Sequence, residues 1–153
     1  IIRALEVWQE TGRTITEHDA LERQRPPKYD ALYIGLDFED RQALRDRIDR
    51  RVDAMVAQGL LAEVEALLSG GLPRDATALQ AIGYKQFLAV AEGTATTEEA
   101  IAEVKLRSRQ YAKRQLTWLR RDADLFWLRH EKTPDMDRAC RLSTQFLSAR
   151  GIE

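Results

Sequence analysis

Seventeen residues from Lys105 to Arg121, KLRSRQYAKRQLTWLRR, carry seven Lys or Arg and no acid, in a chain whose formal net charge is only −1. So local a concentration of cations suits an anionic partner bearing several phosphates, with a solvated helix face as the alternative. Plotted at about 100° per residue, Val104, Ser108, Tyr111, Gln115, Trp118 and Leu119 fall in one arc, which predicts a core-facing helix with an amide and a hydroxyl in its buried stripe. Lys105, Arg109, Lys113 and Arg120 run along one edge of that stripe; Arg107, Arg114 and Arg121 run along the other.

Arg51 is the second candidate. With Ile48 as the centre of its helix's apolar stripe, Arg51 falls beside Leu44 and Met55 on the packed side, one turn from Arg47. A guanidinium held there needs a carboxylate, such as Glu63 or Glu65, or a phosphate, and its planar fork fits either. Asp46, Asp49 and Asp53 fall on the opposite face and read as solvating charges. The third candidate is Gln80-Ala81-Ile82-Gly83-Tyr84-Lys85. Gly83 permits positive φ, and an aromatic with a lysine at a helix mouth could stack a base and touch its phosphate; an ordinary turn is the alternative.

Other chemistries have little to work with. His18 and His130 are too few and too far apart for a metal site or a His-based triad, and Cys140, the one cysteine, cannot form an internal disulfide. No G-x-x-x-x-G-K-[ST] loop occurs, and Asp19, Glu22, Glu39 and Asp40 have no arrangement that marks a general base. Trp8, Trp118 and Trp127 read as core. At 153 residues and 44% hydrophobic, the chain can build one ordinary core. No apolar run reaches the roughly 18 residues of a membrane span and no leader pattern opens the chain, so a soluble, cytoplasmic protein is expected.

The elements that must position these residues can be read in order. Ile2 to Gly12 and Thr14 through Leu21 predict two short helices, the second opened by a Thr14/Glu17 capping box. Arg25-Pro26-Pro27-Lys28 breaks helix, and a boundary is placed near Lys28. Leu32–Leu36 and Leu125–Leu128 predict two strands. Helices follow over Asp40 to Gln58 and, past Gly59, Leu60 to Leu68. A short helix around Phe87 to Val90 comes next, then a long one capped by Thr96/Glu99 and running to about Asp122. The last helix follows Thr133-Pro134-Asp135, with Met136, Ala139, Cys140, Leu142, Phe146 and Leu147 as its stripe. Two strands alone are marginal, and the chain opens at helical spacing without Met, so a longer protein with further strands is expected.

Four blocks resemble the C-terminal half of the tRNA dimethylallyltransferase (tRNA isopentenyltransferase) family. They are R-A-L-E-V at Arg3 with T-G-R at Thr11, R-I-D-R-R-V-D-x-M from Arg47, Q-A-I-G-Y-K from Gln80, and R-Q-Y-A-K-R-Q-L-T-W-L-R from Arg109. The chain departs from the family pattern at Gln80 and Ala81. The resemblance implies a mostly α chain with two short strands. Residues 29–153 would form the C-terminal part of a P-loop-like three-layer α/β catalytic core, and residues 1–28 the end of a helical tRNA-binding insertion. It implies transfer of a dimethylallyl group from dimethylallyl diphosphate to N6 of the adenosine next to the anticodon, with Mg²⁺, a phosphate loop and a general base supplied by an N-terminal portion whose motifs this chain lacks. By the same resemblance, Arg51 reaches the donor diphosphate as the catalytic residue. Arg3, Gln80 to Lys85, and Arg109, Lys113, Arg114, Gln115, Thr117, Trp118 and Arg120 contact the tRNA anticodon stem-loop. A fragment inactive by itself, and a monomer, are expected. A non-catalytic helical RNA-binding module, or a structural helical domain, remains the alternative. On the first reading, the basic helix and Arg51 hold the RNA and the leaving group against one shared wall.

Overall fold

The computed structural model describes residues 1–26, 28–29 and 31–151; Pro27 and Asp30, within the expected helix break and β-rich stretch, and the last two residues lie outside that description. The order of elements is α1 (Ile2–Thr11), α2 (Ile15–Gln24), β1 (Ile34–Phe38), α3 (Arg41–Ala57), α4 (Leu60–Ser69), a 3-10 turn (Thr77–Gln80), α5 (Tyr84–Ala91), α6 (Thr97–Leu119), β2 (Phe126–His130) and α7 (Met136–Ala149). The protein is mostly helical with two parallel strands, in two compact units, Ile1–Leu32 and Tyr33–Glu153.

In the first unit Gly12 ends α1 in the left-handed region, and Thr14 opens α2 with the reciprocal capping box predicted for it. The Thr11 hydroxyl and His18 Nε2 lie 2.8 Å apart, joining the two helices. Neither helix buries a residue, and Trp8 is exposed where the sequence predicted core.

The second unit is built on β1 and β2, paired in parallel with Ile34 opposite Phe126 and Phe38 opposite His130. Both strands run two residues beyond their predicted ends. Apolar pattern alone stopped them before Asp37 and His130, yet both polar residues are buried and bonded, so the ladder continues through them. Parallel strands need a long crossover, and α3 to α6 supply it. Asp40 caps α3 by accepting from Gln42 N–H at 2.8 Å, and Thr96 with Glu99 caps α6.

One apolar cluster joins this crossover: Val52 of α3, Leu60 and Val64 of α4, Phe87 of α5, and Ala100 and Val104 of α6. Phe87 and Val64 are fully enclosed, each worth about 1.5–3 kcal/mol of transfer from water. Helix α7 lies against the strands through Phe146, which stacks on Phe126 with centroids 4.3 Å apart and planes 8° from parallel. Its Met136 and Cys140, expected in the buried stripe, are exposed.

Gly35 is a packing requirement in β1. A Cβ there would sit 2.9 Å from both Leu125 Cδ2 and Trp127 Cε3. Gly35→Ala is therefore expected to destabilise the second unit by about 1–3 kcal/mol, read as a lower midpoint in urea unfolding with an unchanged m-value.

Candidate nucleic-acid interface

The basic helix turns a different side to the core from the one its apolar arc predicts. Val104 and Ala100 are buried and Ser108, Ala112, Leu116 and Leu119 are half-buried, but Tyr111 is 49% and Trp118 69% exposed, with Gln115 exposed between them. The packed face of the C-terminal half is thus rotated by roughly 60° from the expected stripe. Two ion pairs account for the rotation. Asp53 of α3 lies 2.6 Å from Lys105 Nζ, and Asp49 receives Arg109 on both carboxylate oxygens at 2.7 and 2.9 Å. These aspartates are interhelical tethers, contrary to the solvating role assigned to them; Asp46, which accepts from Gln42, remains on the surface.

The seven cations therefore divide. Lys105 and Arg109 are tied to α3, and Arg107 is tied to Glu103 on its own helix at 2.6 Å. Lys113, Arg114 and Arg121 have no carboxylate within ion-pair distance among the described residues, and Arg114 lies 5.7 Å over the ring of Tyr111. The Thr117 hydroxyl donates back to the Lys113 carbonyl at 2.9 Å. Arg109, Lys113 and Arg120 line a groove of about 700 Å³ between α3 and α6, opposite Arg41 and Arg45. Lys113, Arg114, Thr117 and Trp118 border an adjoining depression of about 410 Å³ on the outer side of α6. Cations and an exposed indole on one rigid rod can hold phosphates and stack an unpaired base.

Asp37 is a polar residue the sequence reading passed over. Its side chain is 4% exposed; it accepts the Phe38 N–H at 2.8 Å and Arg41 Nη1 at 3.2 Å, and Arg120 Nη2 stands 3.7 Å away. It anchors one cation from each wall at an end of the groove. An acid inside an apolar strand was the available signal, since such a residue needs a cationic or N–H partner.

Arg51 is exposed, contrary to the buried position predicted for it. The core side of α3 centres on Val52, so the stripe was placed too near Leu44 and Ile48. Neither Glu63 nor Glu65 pairs with Arg51; Glu63 instead accepts the Tyr84 hydroxyl. Arg51 lines a separate depression of about 390 Å³ with Arg47, Arg50, Lys132, Thr133 and Pro134. It lines neither α6 depression, so the described residues form no wall shared by Arg51 and the basic helix.

In the Gln80–Lys85 segment, Gly83 adopts φ +106° and opens α5, its N–H donating to Gln86 Oε1 at 2.9 Å. Tyr84 is half-buried against the core cluster, and the Glu63 bond, aided by burial, raises its phenol above the ordinary value. Its ring is committed to packing; Gln80, Ala81, Ile82 and Lys85 are the exposed members. Arg3, in the first unit, is exposed and lies 3.6 Å from Glu6.

A helical crossover between two parallel strands is an α/β arrangement, here with part of the cationic run of α6 turned outward. Residues 1–122 match the family model described as IPP transferase, and the chain belongs to that family. It is 48% identical over 127 residues to the tRNA dimethylallyltransferase of Halalkalibacterium halodurans, covering 83% of this chain and 40% of that protein. It is 35% identical over 152 residues to the corresponding protein of Acetivibrio thermocellus, covering 99% of this chain and 48% of the other. The crystal structure of the tRNA delta(2)-isopentenylpyrophosphate transferase of Staphylococcus epidermidis superposes with a TM-score of 0.72 at 34% identity, covering 96% of this chain and 48% of that one. The chain thus spans less than half the length of these relatives.

The Arg109–Asp49 pair is 34% and 31% exposed, so solvent screens it and its contribution is modest. Arg109→Gln is expected to cost about 1 kcal/mol and to lower the melting temperature by about 2–4 °C, measurable by circular dichroism.

Proposed function

We infer that the chain is the C-terminal portion of a tRNA-modifying prenyltransferase, and that the outer part of α6 is a docking surface for the anticodon stem-loop. One observation carries the reading: in the segment that matches the family from Lys113 to Arg120, Lys113, Arg114 and Trp118 are exposed and the two cations have no carboxylate partner among the described residues. Phosphate contacts position an RNA, and an aromatic face holds a base taken out of its stack. Gln115 and Thr117 complete this surface, Arg120 borders it from the groove, and Arg109, held by Asp49, supports it; the exposed Gln80, Ala81, Ile82 and Lys85, with Arg3, are further tRNA contacts on this reading. Residues 1–28 belong to the helical insertion on this reading, and the rest to a P-loop-like core.

The reaction is alkyl transfer from dimethylallyl diphosphate to adenosine N6. The allylic C–O bond breaks as the N6–C bond forms, the diphosphate leaves with the bonding electrons, and N6 sheds a proton. Charge grows on the departing oxygen, and guanidinium groups placed there stabilise it. Arg51 is assigned to that task; its exposure leaves it open to an anionic ligand. The family implies Mg²⁺, with its site expected in the N-terminal portion; no group of three His, Cys, Asp or Glu converges among the described residues, and no step is assigned to the ion. No general base is assigned within the chain.

Replacing Lys113 and Arg114 by Glu should weaken binding of an anticodon stem-loop RNA and lower the slope of log K against log salt by about 1.4–1.8 for two lost phosphate contacts. An undiminished affinity returns both residues to an ordinary solvated face. In the complete polypeptide as the cell makes it, Arg51→Ala should lower turnover and donor affinity while RNA affinity is kept. Unchanged kinetics would remove Arg51 from the mechanism.

A further inference from the structure

The depression beside Arg51 gathers Arg47, Arg50 and Arg51 from α3 and Lys132 from the turn between β2 and α7, with Thr133 and Pro134 completing its wall. No acid lines it, and none of the four cations makes an ion pair among the described residues. This differs from the helix facing α3, where Asp49 and Asp53 each take a cation. Like charges brought together from two elements repel, and neither Asp40 nor Asp46, which line an adjoining hollow with Arg50 and Lys132, pairs with them to offset that cost. A compact ligand with several negative charges would.

The turn that carries Lys132 is built to hold a fixed position. The buried His130 ends β2, and its Nδ1 accepts the Asp135 N–H at 3.2 Å, closing the turn. Asp135 caps α7 through the Arg138 N–H at 2.8 Å, and the Arg138 side chain donates to the Arg129 carbonyl at 3.1 Å. The turn is thus pinned on both sides. It also leaves the carboxyl end of a parallel strand, the edge beyond which open parallel sheets place their ligands.

We propose that Lys132 is a further ligand for the donor's diphosphate, closing with Arg47, Arg50 and Arg51 a site for a diphosphate group. A volume of about 390 Å³ leaves room for such a group, and the wall has no aromatic surface on which an RNA base could stack. Arginines supply planar forks, and Lys132 adds a point charge from the opposite side. The assignment rests on the placement of Arg51 at the donor and extends it to a residue outside the segments that match the family's motifs.

The test uses the complete polypeptide and titrates inorganic diphosphate, dimethylallyl diphosphate and orthophosphate by calorimetry. Lys132→Gln should weaken both diphosphates about tenfold or more, Lys132→Arg should restore most of that loss, and anticodon stem-loop affinity should stay unchanged. Turnover assays of Lys132→Gln should show a raised donor KM. The proposal is overturned if Lys132→Gln binds diphosphate as the parent does while Arg51→Ala does not, and the Arg51 reading then survives. If neither substitution alters diphosphate binding, both fall. Equal loss of orthophosphate and diphosphate would mark general anion attraction, and loss of RNA binding alone would make the depression part of the RNA surface; either outcome defeats the proposal.

Discussion

The pairing of two α3 aspartates with two α6 cations sets the arrangement on which the rest depends. Asp49 and Asp53 lie one turn apart on α3 and meet Arg109 and Lys105, one turn apart on α6. Buried Val52 and Val104 pack the same two helices together. With the ion pairs fixing rotation and the apolar contacts fixing distance, α6 can present only one remaining face outward. That face carries Lys113, Arg114 and Trp118.

Seven basic side chains in one stretch, five of them within α6 and two just past its end, would repel one another if all were free, at about 0.2–0.5 kcal/mol for each like-charged i,i+4 pair on the helix. The structure reduces this by giving the N-terminal cations acidic partners and leaving the C-terminal ones open. Lys105, Arg107 and Arg109 serve the fold; Lys113, Arg114 and Arg121 make no ion pair among the described residues. Arg120 stands between the groups, 3.7 Å from buried Asp37. One charged segment thus contains both a structural half and a surface half, a division that charge counting alone does not make.

Arg51 follows similar logic on the other side of α3. Val52 takes the core, so Arg51 turns outward to Arg47, Arg50 and Lys132. The depression beside Arg51 and the α6 surface are distinct places, each cationic. Helix α3 separates them while contributing cations to both, through Arg41 and Arg45 on the groove and Arg47, Arg50 and Arg51 on the depression.

Much of this protein is local information. Helical period, the caps at Thr14 and Thr96, the break at Gly59 and the cationic run are all legible from residue order, because each depends on contacts within a few positions. The four family blocks are equally visible, since they need no geometry. Tertiary structure decided which side of each helix faces inward. A wheel gives the spacing of a stripe but not its partner, and the 60° rotation of α6 comes from Asp49 and Asp53, some 50 to 60 residues away in sequence. It likewise sent Tyr84 to the core, kept Trp118 outside, carried the strands through Asp37 and His130, and brought Lys132 beside Arg51, because burial and charge pairing are settled between segments that sequence order leaves far apart.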